Sequence, residues 1–254
     1  MQNKLIIKNL SFSYTNKQVL FNCNAEFETG KIYVLLGNNG VGKTTLFKCL
    51  IKQFKIEDGS IFLGGTDINK ISFLDYAKQI SYVSQLNSLE NSDITVRDYL
   101  VQGRTPYLKA FSVPGKDEYL IMYNYAKQVG IERLLSRQLN ELSGGELQMV
   151  NITRALIQET AVIILDEPLS ALDIKNQIKV LSLLNQLTKK DKIIIFSSHN
   201  PNHAVLLKSN VLLMKDGYVL CSGNYKEIIK SDILSLAYGC NVNVTEEGDV
   251  KLII

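Results

Sequence analysis

Residues 37–45 read GNNGVGKTT, which fits the spacing G-x-x-x-x-G-K-[ST] through Gly37, Gly42, Lys43 and Thr44. Each residue type has a chemical reason to be there. Glycines let the backbone curl until successive N–H groups point inward at phosphate oxygens. The resulting cradle comprises Gly37, Asn38, Asn39, Gly40, Val41, Gly42, Lys43, Thr44 and Thr45. A helix starting near Thr44 adds the positive end of its dipole. Lys43 brings a compact charge to the β- and γ-phosphates, and the Thr44 hydroxyl is an oxygen ligand for Mg2+. A chance glycine-rich turn would lack the setting found here. An apolar strand, KIYVLL at Lys31–Leu36, leads in, and Thr44–Lys52 reads as a helix.

Other residues could complete phosphoryl chemistry. The run VIILDEP at 162–168 reads as a buried strand that delivers Asp166 to a sheet edge, where ligands bind. Asp166 could serve the Mg2+ shell through water. Glu167 points elsewhere and could orient or deprotonate an attacking water. Strand-ending carboxylates are common, so this pair gains its force from the phosphate loop upstream. His199 closes the next apolar strand, KIIIFSSH, and is expected to donate a hydrogen bond to the γ-phosphate. His203 reads as a partly exposed helix residue. Gln85 follows the strand ISYVS and is expected to bind Mg2+ or water and to sense the third phosphate.

Residues 142–146 read LSGGE, ahead of a helix at Leu147–Gln158. Ser143 with Glu146 is a capping box, which needs no ligand. The box does not explain Gly144 and Gly145, since glycine is costly near a helix start. Bare glycine N–H groups at a helix tip form an anion site. A second phosphate-seeking surface in a chain that already has a phosphate loop suggests two copies meeting over one nucleotide.

These residues need elements to hold them. Leu5–Tyr14, Ile61–Leu63, Ile80–Val83, Ala161–Leu165 and Lys192–Ser197 read as strands, and Ile174–Thr188 as a helix. Asn210–Met214 and Tyr218–Cys221 flank a Lys215-Asp216-Gly217 turn, and a second hairpin is expected around Glu247-Gly248-Asp249. Strand–helix alternation predicts an α/β fold with a mostly parallel sheet covered on both faces. From Thr95 to Glu159 the chain favours helices, including Lys116–Gly130 with Leu120, Ile121, Tyr123, Ala126 and Val129 at helical spacing. That stretch is expected to form an inserted helical subdomain, approximately 87–159, within one domain spanning 1–254. The core lobe is approximately 1–86 and 160–254.

Composition narrows the classes. No run approaches the roughly 18 apolar residues of a membrane span, and no signal peptide is evident. A cytoplasmic location is therefore expected. Lysines and glutamates are interspersed and the net charge is only +3, so a nucleic-acid partner is not expected. Cys23, Cys49, Cys221 and Cys240 are scattered without a CxxC pair, and read as small core residues rather than a zinc or disulfide set.

Taken in order, Tyr14, GNNGVGKTT, Gln85, LSGGELQ, VIILDEP, SALD at 170–173 and His199 resemble the ATP-binding subunits of ABC transporters, over essentially the whole chain. The resemblance implies an ABC-type P-loop NTPase core with an antiparallel β part, and an ATPase using ATP and Mg2+. It also implies that Tyr14 stacks on adenine. Ser143 and Gly145 of one subunit would face the γ-phosphate held by the other, and Asp173 would lie at the homodimer interface. The implied partners are integral-membrane permease subunits at the cytoplasmic face of the membrane, with an extracytoplasmic solute-binding protein in the complete system. GRTPY at 103–107 and SALDIKNQIKVLSLL at 170–184 look like the ATPases of bacterial iron-siderophore, haem and cobalamin importers. Two other readings share the same core: an exporter subunit, and a soluble ABC-type ATPase acting on a ribosome or DNA. The chain has no second nucleotide domain or heptad run of the kind usual in the soluble class. Departures from the family pattern are Asn200 where Asp is frequent, Leu147 for a basic or amide residue, and Leu169 for Thr. None removes a group that touches phosphate.

Overall fold

The computed structural model describes residues 4–84, 92–109, 111–189, 191–247 and 250–253. In chain order the first strands are β1 (Leu5–Tyr14), β2 (Lys17–Phe27), β3 (Ile32–Leu36), β4 (Ile61–Leu63), β5 (Thr66–Asp67) and β6 (Ile80–Val83). They are followed by β7 (Val162–Leu165), β8 (Ile193–Ser198), β9 (Asn210–Lys215), β10 (Tyr218–Asn224), β11 (Val244–Glu247) and β12 (Val250–Ile253). The helices are α1 (Lys43–Leu50), α2 (Phe73–Ala77), α3 (Val96–Val101), α4 (Lys116–Val129) and α5 (Gly144–Ile157). After them come α6 (Ile174–Thr188), α7 (Asn202–Leu206), α8 (Tyr225–Ile228) and α9 (Ser231–Tyr238). The chain divides into two compact units, Met1–Ile71 with Leu184–Ile254, and Ser72–Leu183.

The described residues of the first unit form two larger groups of strands and a terminal hairpin. β3 lies between β8 and β9 and is parallel to both, with Val34 opposite Phe196 and Val211. Its five residues are all buried, which is why its sequence shows no polar alternation. β10 returns antiparallel beside β9 through Asp216 and Gly217, whose φ angles of 49° and 82° suit a type I′ hairpin. The second sheet is antiparallel, in the order β2-β1-β4-β5. β2 is an eleven-residue strand absent from the sequence reading. β11 and β12 pair as the expected terminal hairpin.

In the second unit β6 and β7 pair in parallel, with Val83 opposite Leu165. Around them are the helices of the middle third. Ten of the fourteen residues of α5 are buried, so it is the unit's central helix. α4 differs from expectation in its inward face. Met122, Ala126 and Val129 are buried, whereas Leu120 and Tyr123 are exposed. Both sets have helical spacing, so periodicity alone could not choose between them.

The GRTPY segment is a 3-10 turn continuing α3. It anchors the end of α5. Arg104, 8% exposed, donates to Ile157 O at 3.0 Å and pairs with Glu159 at 2.9 Å. Its guanidinium lies 4.1 Å from the Tyr107 ring centroid, and the Tyr107 hydroxyl donates to Gln158 O at 2.9 Å. A Cβ on Gly103 would sit 2.7 Å from Arg154 O, so only glycine lets the two backbones approach. The cysteines only partly match the core expectation. Cys23 and Cys49 are buried, but Cys221 is half-buried and Cys240 exposed, in the turn after α9. Among the described residues no helix is long and apolar enough to cross a membrane.

Candidate nucleotide site

The phosphate loop forms between β3 and α1, and its shape depends on two glycines with positive φ. Gly37 has φ 144°, and a Cβ there would lie 2.4 Å from Met214 O. Gly42 has φ 107°, and its Cβ would lie 2.9 Å from Leu20 Cδ2. Neither position admits another side chain. Asn38, Asn39 and Gly40 are exposed at the loop's tip, whereas Val41, Gly42 and Lys43 are buried. The β9–β10 turn holds the loop from outside, since Gly217 N donates to Val41 O at 3.1 Å.

Gly42 is the N-cap of α1 and supplies no side-chain cap. A helix start without such a cap keeps its first N–H groups available to an anion. Lys43, 6% exposed, runs inside the loop and donates to Gly37 O at 2.7 Å and Asn38 O at 2.9 Å. The ammonium thus sits at the centre of the cradle. Thr44 is half-buried in the first turn of α1, and Thr45 is buried with its hydroxyl 3.3 Å from Tyr14 Oη. Tyr14, 41% exposed at the end of β1, meets Phe12 and Phe54 edge-on. It is therefore held upright with ring surface accessible.

His199 follows β8 and is exposed. The chain beneath it is tied down: Ser198 Oγ accepts from Asn200 N at 3.0 Å and lies 2.8 Å from His203 Nδ1. His203 is 8% exposed, which corrects the sequence reading of a partly exposed helix residue. Burial lowers its pKa to about 4, with His199 adding to the effect, so the ring is neutral near pH 7. Tyr14, residues 37–45 and His199 all belong to the first compact unit.

The other residues that the sequence nominates, Gln85 aside, belong to the second. Asp166 directly follows β7 and is 1% exposed, with the Tyr82 hydroxyl donating to its Oδ2 at 3.4 Å. Burial, reinforced by this carboxylate, raises the Tyr82 pKa and keeps the phenol protonated. Glu167 is half-buried and takes φ 47°, an uncommon conformation for a side-chain-bearing residue. Its carbonyl accepts from Ser170 N at 3.3 Å and Ser170 Oγ at 2.9 Å.

The capping box at the start of α5 forms as read from sequence. Ser143 Oγ accepts from Glu146 N at 3.3 Å, and Glu146 Oε2 accepts from Ser143 N at 3.2 Å. A Cβ on Gly144 would meet nothing within 4 Å, while one on Gly145 would lie 3.4 Å from Ala171 O. The LSGGE tip and the SALD turn are thus neighbours. Gln148 Nε2 donates to Pro168 O at 3.2 Å, and Gln177 Nε2 to Leu169 O and Leu172 O at 3.1 Å each. Asp173 caps α6 by accepting from Asn176 N at 2.8 Å. Sequence reasoning missed Gln148, Gln177 and Tyr82, because their partners are distant in sequence or lie in turns of irregular geometry. Gln85 lies outside the described residues.

The family model described as ABC transporter matches residues 20–170. An uncharacterized ABC transporter ATP-binding protein of Methanocaldococcus jannaschii is 34% identical over 98% of this chain and 97% of its own. The iron(3+)-hydroxamate import ATP-binding protein FhuC of Bacillus subtilis is 29% identical, covering 96% of this chain and 91% of its own. Among solved structures, an inward-facing ABC transporter assigned to the metal-chelate type superposes with a TM-score of 0.84 at 27% identity, covering 99% of this chain and 96% of that one. With the family model covering more than half its length and a phosphate loop of the required geometry, the chain belongs to the ABC transporter family, as one of its ATP-binding, ATP-hydrolysing subunits.

Proposed function

We propose that this subunit powers the import of a metal chelate such as an iron-siderophore, haem or cobalamin, with two copies enclosing two Mg-ATP molecules. One observation carries the nucleotide chemistry: Lys43 is buried inside a loop whose Gly37 and Gly42 hold conformations that strain any side chain, at the start of a helix without a side-chain cap. The choice of solute class rests on the names of the FhuC relative and the metal-chelate structure. The GRTPY segment supports it from the sequence side.

In this reading Tyr14 presents its ring to adenine and residues 37–45 bind the phosphates. Lys43 exchanges its loop carbonyls for β- and γ-phosphate oxygens. Thr44, Gln85 and Asp166 offer only oxygen ligands, a hydroxyl, an amide and a carboxylate, which suits Mg2+. When bound, the ion neutralises charge that develops on the phosphoryl oxygens. Glu167 orients or deprotonates the attacking water, and His199 donates to the γ-phosphate. Ser143, Gly144 and Gly145 of the second copy close over that phosphate, and Asp173 lies at the shared interface. Hydrolysis removes the bridge and the copies part. Permease subunits receive that motion at the cytoplasmic face of the membrane, and an extracytoplasmic protein delivers the solute. The permease is contacted through the helical subdomain read from the sequence at approximately 87–159.

A mixing experiment tests the composite site. Lys43→Ala alone is expected to lose ATP binding, and Ser143→Arg alone to lose turnover. Mixed dimers carrying one of each retain one intact site and recover measurable ATPase. No recovery in any mixture means that each copy works alone, and unchanged ATP affinity in Lys43→Ala means that the loop is not the phosphate site.

A further inference from the structure

The family motifs account for the phosphate loop and for His199, but not for what lies beside them in the first unit. The last turn of α9 packs against both. Asn38 Nδ2 donates to Tyr238 O at 3.1 Å. The Tyr238 hydroxyl donates to His199 O at 3.4 Å. Burial raises the pKa of this phenol to about 12, so it is protonated and able to donate near pH 7. One residue therefore touches Asn38 at the start of the phosphate loop and the backbone of His199.

The placement of that residue is built. α9 ends on Gly239, whose φ of 70° is the left-handed cap that turns the chain away. The Lys215 ammonium, from β9, donates to Leu236 O at 2.8 Å and so holds another carbonyl of the last turn. Leu234 and Ala237 are buried and fix the helix from below. Beside it is a cavity of about 410 Å3 lined by Asn38, Asn39, Lys215, Asp216, Tyr238 and Gly239 among others. The loop tip thus has open space on this side, and Tyr238 lines it.

We propose that Tyr238 is a positioning residue for ATP hydrolysis, tying the phosphate loop to the His199 segment so that both meet the same triphosphate. This rests on the nucleotide reading above. The tie has two separable parts. Its carbonyl, which accepts from Asn38, sets the loop and hence nucleotide affinity. Its contact with His199 sets where the imidazole stands and hence turnover.

Tyr238→Phe tests this in the full-length chain, because it keeps the ring and the Asn38 contact while deleting the hydroxyl bond to His199 O. Steady-state ATPase is measured for the parent, Tyr238→Phe, His199→Ala and the double variant. Loss of one hydrogen bond that acts on the transition state is expected to lower kcat by about three- to tenfold. KM stays within about twofold, because the Asn38 contact to the backbone carbonyl is kept. In the His199→Ala background the same substitution leaves kcat within about twofold, as expected for groups acting in series. Thermal unfolding without nucleotide stays close to the parent's. Should Tyr238→Phe fail to fold, Gly239→Ala carries the test. Its methyl meets nothing within 4 Å, but it disfavours the cap that places Tyr238. A kcat within twofold of the parent's, or an equal loss in both backgrounds, overturns the proposal. The nucleotide reading itself stands or falls separately, on Lys43→Ala.

Discussion

Gly37→Ala isolates the physical requirement on which the phosphate loop depends. Two costs add at this position. At φ 144° an alanine occupies a region essentially reserved for glycine, at a cost of about 1–3 kcal/mol. Its methyl would also stand 2.4 Å from Met214 O, far inside ordinary contact distance. The carbonyl has no easy retreat. Met214 is fully buried on β9, which pairs with β3 on one side and, through Met214 opposite Val219, with β10 on the other. Forcing a strand clamped in this way costs a further ~1–3 kcal/mol, typical of overpacking. The sum is about 2–6 kcal/mol. Gly40→Ala is the control in the same loop. Its φ is 81°, but a Cβ there meets nothing within 4 Å, so only the backbone term of about 1–2 kcal/mol applies. The assay is urea denaturation at 25 °C without nucleotide, with ATP affinity measured alongside. Gly37→Ala is expected to be the less stable by at least about 1 kcal/mol and to lose ATP binding. Equal stabilities would refute the argument that β9 fixes the loop.

Two further outcomes are expected. Glu167→Gln keeps the side chain's size and removes its basicity, so turnover is lost, ATP binding persists and the ATP-bound dimer accumulates; ATPase and gel filtration with ATP read both, and full activity rejects Glu167 as the group acting on water. His203 makes stability pH-dependent in a defined direction. Its folded pKa is depressed to about 4 against about 6.5 when unfolded, so the unfolded chain binds the extra proton between those values. Stability from this group is complete above pH 6.5 and is lost as pH falls toward 4, at up to about 1.4 kcal/mol per pH unit. Denaturation of the parent and of His203→Gln at pH 7.5 and pH 5 should show the smaller pH dependence in the variant; equal slopes reject the assignment.

The elements that hold the nucleotide chemistry were legible because each is set by its neighbours in sequence. β3 and β7 are short apolar runs that end on a glycine and an aspartate, and Ser143 with Glu146 is a local cap. β2 escaped because its alternation is broken. Asn22, within it, and Asn9, in the register break of β1 between Ile7 and Leu10, take φ of 46° and 48°, and the β1–β2 register shifts three times. A bulged strand loses the period of two by which strands are recognised. His203 escaped for another reason. What buries it is Ser198 Oγ and the turn after β8, and neither leaves a pattern in the chain. Tyr238 is two hundred residues from Asn38 and has no local signature at all.

The tip of α5 poses an electrostatic question that the proposed two-copy site must answer. A surface meant to meet a γ-phosphate carries a carboxylate, Glu146, in its first turn. Its pKa is lowered, first by the backbone N–H of Ser143 and then by the Ser143 hydroxyl, so it stays ionised. An ionised glutamate suits the helix dipole but repels a phosphate. The chain offsets this charge locally. Arg133 and Arg137 lie 3.7 and 3.6 Å from the two carboxylate oxygens. Exposed pairs of this kind add little stability. Their effect at this place is to cancel a charge rather than to hold the fold. Ser143 Oγ spends its proton on Glu146 Oε2 at 3.0 Å, a surface bond that it can exchange for a phosphate oxygen at a net cost within about 1 kcal/mol. Gly144, whose outer side meets no atom within 4 Å, leaves its N–H approachable from that side. The capping box and the anion site are therefore compatible uses of one helix start: the glutamate satisfies the Ser143 N–H, the arginines mask the glutamate, and the glycines keep the tip bare.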